Sequence, residues 1–358
     1  MGINVRFADD DWERHARNWS AWWEGALDRP LVMIEAKVAD VPFEPFVNNL
    51  PLGLSTDAIL DHYQAHLEAL RFFGDAWPRW RPNFGPIIVA GFLGAGVHAA
   101  ADTIWFSPLQ ATRLEDLRLA YDPDNAWWRR VQDLTRAAVA RWGDRVLVAH
   151  TSMGNNLDIL AALRGTQQLL FDLCDAPDEV ERLAGEVTRA WLRFYDEHTA
   201  VIEQAGRGTT PWAHIWSPGR CYMLQCDFAY MISPAMFERF VMPDLKASCA
   251  ALDHPFYHMD GKGQIPHLDM LLSLERLRGI QWVPGDGAPP PEAWLPLLKR
   301  IRDAGKLCQL YVSAAGAREI VRALGGRGFA LYIENHNFKT AAEAADFLKV
   351  LAAEDASA

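Results

Sequence analysis

The order of segments in this chain predicts an α/β fold, a (β/α)8 TIM-type barrel with a helical N-terminal extension, and three observations support it. From about residue 85 short β-rich runs alternate with helical patterns, as in a parallel sheet covered on both faces. Several runs end in histidine, carboxylate or amide residues, as they do where loops at the C-terminal strand ends build an active site. The chain has 358 residues, a length such barrels reach as one unit. One domain over residues 1–358 is expected, residues 1–80 being its mainly helical extension; an open doubly wound sheet is the second choice.

Asp11 to Gly25 reads as a helix whose Trp12, Trp19 and Trp22–Trp23 recur at helical spacing, which favours core or interface packing over ligand stacking. Arg29 to Lys37 is an apolar extended run, and Ser55 to Phe73 an amphipathic helix stopped by Gly74. The β-rich runs follow at Pro86–Ala90, Arg145–His150, Pro211–Trp216, Pro255–Met259, Gly279–Val283, Leu307–Val312 and Phe329–Glu334, with an eighth strand expected around Val32. Asp175-Ala176-Pro177 opens a helix with Val180, Leu183, Val187, Trp191 and Phe194 on one face. Ser233-Pro234 is an N-cap before a first-turn proline, and Thr340 with Glu343 a capping box. Pro289–Pro291 is a stiff lead-in to a helix.

A net charge of −11 with no basic stripe excludes a nucleic-acid surface. No window approaches the roughly 18 to 20 apolar residues of a membrane span, and the polar, acidic start from Met1 to Trp12 is unlike a signal peptide. A cytoplasmic protein is expected. Cys174, Cys221, Cys226, Cys249 and Cys308, an odd number without a CxxC, read as reduced thiols, most of them small core residues, with Cys226 the one to watch.

His258 and Asp260 lie two apart on a strand candidate and so face one side, ahead of the turn Gly261-Lys262-Gly263. Such a pair can hold a metal, move a proton or orient a ligand. Glu334 and His336 share a face on another strand end, and four nitrogen and oxygen ligands from the two pairs would suit zinc or a harder divalent ion. His150, His214, Trp216, Arg220, Lys262, Gln281 and Trp282 are candidates for substrate contacts, and Asp227 is a third catalytic candidate beside His258 and Asp260. The turn with Lys262 is either an anion site or a solvated loop.

His258–Asp269 (HMDGKGQIPHLD) followed by Gly279–Gly285 (GIQWVPG) resembles the uroporphyrinogen decarboxylase superfamily of (β/α)8 barrels. NFGP at Asn83–Pro86, GFLG at Gly91–Gly94, LDILAALRG at Leu157–Gly165, Asp172 to Val180 and SPAMFERFVMP at Ser233–Pro243 are similar to its recurring phrases. The resemblance runs over residues 28–350, and the superfamily includes decarboxylases and methyltransferases that use corrinoid proteins and folates. The decarboxylase subgroup carries an arginine-rich RQAGR motif after an Arg-Pro. Here Arg29-Pro30 is followed by LVMIEAK, with Glu35 among it, which speaks against a substrate with eight carboxylates. The methyltransferase subgroup carries H-x-C as zinc ligands with a further cysteine on the last strand; here His258 matches, Asp260 replaces the cysteine, and Glu334 and His336 stand on the last strand. The resemblance thus implies methyl transfer or demethylation of a small substrate, with a corrinoid-binding protein or folate as carrier and zinc or another divalent ion at the site. The alternatives are a cofactor-free lyase acting on a small acid and a non-catalytic barrel that binds a tetrapyrrole or corrinoid. The sequence does not set the oligomeric state.

Overall fold

The computed structural model describes residues 3–37, 54–99, 104–109, 113–333, 338 and 340–357. Eight parallel strands make the (β/α)8 barrel: β1 Leu31–Lys37, β2 Arg79–Trp80, β3 Leu147–Val148, β4 Cys221–Gln225, β5 His254–Asp260, β6 Gly279–Val283, β7 Leu307–Val312 and β8 Phe329–Ile333. The run β4–β5–β6–β7–β8–β1 is one continuous parallel ladder, and β2 pairs with β3. The two parts are joined by Asp75 N–H to Val32 O (2.7 Å) on one side. On the other, Met153 N–H reaches the Tyr222 hydroxyl (2.8 Å) and Gln225 N–H the Asn155 side-chain oxygen (3.2 Å). No described helix is long and apolar enough to cross a membrane.

β6 and β7 fall on their expected residues, β5 differs only at its ends, and β8 matches over Phe329–Ile333, its last expected residue Glu334 lying outside the described residues. Three expectations are corrected. Pro86–Ala90 is not a strand: the apolar run enters a helical turn at Val89–Phe92, and the second strand is Arg79–Trp80. Five apolar residues suit a buried turn of helix as well as a strand, so periodicity alone does not separate them. Pro211–Trp216 is not a strand either. Pro211 has no N–H to offer a ladder, and the Arg79 guanidinium takes the carbonyls of Trp212 (2.6 Å) and Ala213 (2.5 Å). The fourth strand is the wholly buried Cys221–Gln225. Finally, the helix expected over Ser55–Phe73 stops at Ala69, and Leu70–Gly74 pairs antiparallel with β1. Gly74, at φ +66°, packs so closely that a Cβ would lie 2.2 Å from Val32 O.

The N-terminal helix Asp9–Trp23 closes the barrel's lower end. Trp19, Trp22 and Trp23 are buried, and their indole N–H groups donate to Asp75 O (3.1 Å), Phe329 O (3.1 Å) and Trp216 O (2.8 Å). These tryptophans are packing residues with satisfied donors. An ion pair lies beside the helix: Arg29 forks onto both oxygens of the buried Asp75 (2.7 and 2.9 Å), which also accepts from Val32 N–H and from Asn18 of the helix. Arg29→Met would leave that carboxylate buried without its cation and is expected to cost about 3–5 kcal/mol in urea denaturation.

The helix Pro177–Ile202 begins with its proline in the first turn and buries Val180, Leu183, Val187, Trp191 and Phe194 as anticipated. Ser233 and Thr340 cap their helices through Met236 N–H (3.3 Å) and Glu343 N–H (3.2 Å). Asp244 is the costly residue of this layer. Its Oδ1 accepts from the Thr188 hydroxyl (2.6 Å), its Oδ2 has no partner, and burial pushes its carboxyl up to about 6. A raised carboxyl favours the folded state below its folded value, and that contribution is lost as pH rises from the unfolded value, near 4, through 6. Asp244→Asn removes the loss. Its stability advantage over wild type should therefore grow by about 1.5 kcal/mol between pH 5 and pH 8 in paired urea titrations.

Candidate active site at the barrel mouth

His258 is the fifth residue of β5 and points inward, with 9% of its surface exposed. Its orientation is set by a chain of amides on the next two strands. Gln309 on β7 donates from Nε2 to Leu310 O (3.3 Å), so its Oε1 faces Gln281 on β6 and accepts from Gln281 Nε2. Gln281 Oε1 is then turned to His258 Nδ1 and accepts from it. A carbonyl oxygen cannot donate, so Nδ1 carries the hydrogen and Nε2 is the nitrogen presented to the site. Both glutamines are fully buried, and Trp212 packs edge-on against the imidazole at 5.2 Å between ring centres.

His258 Nε2 lies 3.6 Å from Asp260 Oδ2, and Asp227, just past β4, completes the group. One ligand atom from each of Asp227, His258 and Asp260 lies within 4.8 Å of the others. Burial disfavours the charged imidazolium, but Asp260, Asp227 and Gln281 outweigh it and hold His258 above its usual range. Burial and the Asp260 charge raise the Asp227 carboxyl against the pull of His258. A neutral imidazole would turn its lone pair toward two carboxylates, an arrangement relieved by a proton or by a cation between them.

The Asp227 turn is held from below by Asp158, which accepts the N–H groups of Asp227 (3.0 Å) and Phe228 (2.8 Å). Burial and the nearby Asp227 push the Asp158 carboxyl up to about 7. Asp227, Asp260 and Lys262 open onto a cavity of about 450 Å³ with Tyr230, Gly285 and Asp286. Gly261, at φ +81°, lets the chain turn there and donates its N–H to Val283 O (2.8 Å), so that N–H is not available to an anion. Lys262 is exposed at the rim.

A second polar group lies in the barrel lumen. His214 Nε2 is 3.5 Å from Glu35 Oε1, its Nδ1 meets the Tyr311 hydroxyl at 3.2 Å, and its ring lies 3.9 Å from that of Tyr332. Burial and Arg79 pull His214 down to about 4, while Glu35, despite its burial, stays below its usual value through His214. At neutral pH this is a carboxylate accepting from a neutral imidazole.

The structure brings together His258, Asp260 and Asp227, with Lys262 at the rim, Gln281 behind His258 and His214 in the lumen. Four substrate candidates lie elsewhere. His150 is fully buried, bonded to Thr210 O (3.2 Å) and Thr199 Oγ1 (2.9 Å), and stacked on Tyr195. Trp216 donates to Arg207 O (2.8 Å) and packs on His15. Arg220 precedes β4 at the opposite end of the barrel and pairs with Asp196. Trp282 alternates with Gln281, so it points outward and packs against Trp294 at 5.2 Å. Cys226 is buried, which pushes its thiol well up and keeps it unreactive. Glu334 and His336 lie outside the described residues. Sequence reasoning missed Asp158, Gln309, Tyr311, Tyr332 and Arg81. Of these, only Gln309 carried a signal, an amide inside an apolar strand.

Among solved structures, a methyltransferase from Methanosarcina mazei shares the fold, at a TM-score of 0.60 and 12% identity over 96% of this chain and 98% of that one. A B12-independent methionine synthase from Shewanella sp., solved with selenomethionine, aligns at a TM-score of 0.39 and 10% identity over 90% of this chain and 96% of that one. No family model and no curated protein sequence matches the chain.

The amide chain makes a direct prediction. Gln309→Leu removes the acceptor that orients Gln281, so the Gln281 amide is free to flip and the Nδ1-protonated form loses its support. Nitrogen NMR of the His258 ring should show that tautomer dominant in the neutral wild-type imidazole and mixed in the variant.

Proposed function

We propose that the chain is a one-carbon-transfer enzyme of the uroporphyrinogen decarboxylase superfamily, a methyltransferase or demethylase acting on a small molecule. Asp227, His258 and Asp260 would hold a divalent ion of the zinc class. The observation that carries the reading is the convergence of these three donors at the mouth, with His258 Nε2 turned toward both carboxylates. The HMDGKGQ run, which resembles the superfamily's zinc-binding element, supports it, as does a barrel of the kind the Methanosarcina methyltransferase has.

The donor set fits such an ion. Two carboxylates and one imidazole match a borderline to hard divalent cation, and three protein ligands leave a position open for substrate. Such an ion supplies Lewis acidity toward a substrate oxygen or thiol. The protein's own residues do the rest. Gln281 and Gln309 fix the imidazole, as outer-shell partners of metal-ligating histidines do. Asp158 fixes the Asp227 turn. Lys262 stands on the rim as an exposed positive charge. Trp105, Tyr230 and Met231, between 48 and 64% exposed, surround the opening and give a methyl carrier an apolar face to meet. That carrier would be a corrinoid protein or a folate. The protein would work in the cytoplasm as one domain.

Metal analysis of protein purified without chelators should find about one divalent ion per chain. His258→Ala and Asp260→Ala should lower that to under about a tenth and slow methyl exchange with methylcobalamin or methyl-tetrahydrofolate by about 100-fold or more. Metal-free protein that releases carbon dioxide from small acids, with no methyl exchange, would establish the lyase instead.

A further inference from the structure

The lumen contains a cation that has no counter-charge among the described residues. Arg81 follows β2 at the C-terminal end of the barrel and is only partly exposed. Its guanidinium makes one hydrogen bond, from Nη1 to Ser152 Oγ at 2.8 Å, and among the described residues no carboxylate stands within ion-pair distance. Among the described residues the charge that acts on it most is Arg79, which repels it; it also senses the hydroxyls of Tyr63, Tyr222 and Tyr311. Arg79, by contrast, is spent on two backbone carbonyls and has Glu35 nearby. Burial, then Arg79, pulls Arg81 down to about 10, so it remains charged at neutral pH.

A desolvated guanidinium with most of its five donors uncommitted is costly unless something anionic meets it. In a chain of net charge −11 the sequence has carboxylates in excess, yet none of the described ones is placed here. Tyr311 ties the two regions together: it lies beside Gln281, which orients His258, and it senses Arg81 from the other side. Tyr311 thus stands between the Arg81 side of the lumen and the Gln281–His258 side.

We propose that Arg81, with the Ser152 hydroxyl beside it, binds a carboxylate on the substrate, so that the natural ligand is a small acid whose reacting end lies at Asp227, His258 and Asp260. The fork of donors suits a planar carboxylate bound through both oxygens. The inference rests on reading the barrel mouth as a substrate site, and it names the substrate class.

Isothermal titration of the full chain with acetate, benzoate and glutarate tests it, with benzamide and glutaramide as neutral controls and inorganic phosphate as a tetrahedral anion. At least one carboxylate should bind at below about 10 mM, in the range of a single charge-assisted contact pair, and its amide at least 10-fold more weakly. Arg81→Met should abolish that binding without lowering the melting temperature, because the charge it removes is unpaired. Arg81→Lys keeps the charge, loses the fork and should bind at least 10-fold more weakly, which serves if the methionine variant fails to fold. Carboxylate binding unchanged in the folded variants, equal binding of the amides, preference for phosphate, or no binding by wild type would each overturn the proposal. His258→Ala separates the two readings. Loss of metal and turnover there with carboxylate binding kept within about threefold leaves both standing. Carboxylate binding by a protein that never holds metal retires the metal reading alone.

Discussion

The relay from Leu310 O through Gln309 and Gln281 to His258 is the constraint on which the candidate site depends. It begins at a backbone carbonyl, which cannot rotate or exchange donor for acceptor, and that fixes every amide after it. The consequence at its far end is chemical. His258 is left with one committed nitrogen and one presented nitrogen, and the presented one faces two carboxylates. After the first link, which lies within β7, the other two run between the neighbouring strands β5, β6 and β7, so the barrel's register is also the register of the site. Burial strengthens the relay, since each unmade hydrogen bond there would cost the full desolvation of its group.

The remaining polar residues of the lumen follow the same logic of limited partners. Arg79 is used up on the carbonyls of Trp212 and Ala213, which closes that loop and positions His214 over Tyr332. Glu35 holds His214, and Asp158 holds Asp227. Arg81 alone among these has a single hydroxyl partner and a charge left over. At the other end of the molecule Arg29 and Asp75 consume each other, so the Arg-Pro pair serves architecture here.

Much of this was legible in the sequence where a strand was long enough to show its period. β5 to β8 each carry five or more residues, and the two-residue spacing of His258 and Asp260 placed both on one face. The two-residue β3 lies inside the expected Arg145–His150 run; β4, five residues long, was missed because it is buried throughout and shows no alternation, and β2 has two residues, too few for alternation to register. The same brevity hid Arg81, which sits among Trp80, Pro82 and Asn83 in a stretch that reads as loop. His150, Trp216, Arg220 and Trp282 were misleading for a common reason. A polar or aromatic residue near a strand end marks either the mouth, the floor or the outer face, and composition does not say which. Gln281 against Trp282 illustrates it: adjacent residues, one turned to His258 and the other to Trp294. The relay itself was out of reach because it depends on three residues brought side by side by register.

The central claim is that His258 Nε2, Asp227 and Asp260 converge on one cation. The most direct test is anomalous diffraction from crystals equilibrated with Zn²⁺, recorded on both sides of the zinc edge. The account predicts one dominant peak about 2.0–2.2 Å from His258 Nε2 and from an oxygen of each carboxylate, with Nδ1 still bonded to Gln281. A saturated crystal with no peak there, or with zinc bound through Nδ1 and the relay broken, would contradict it.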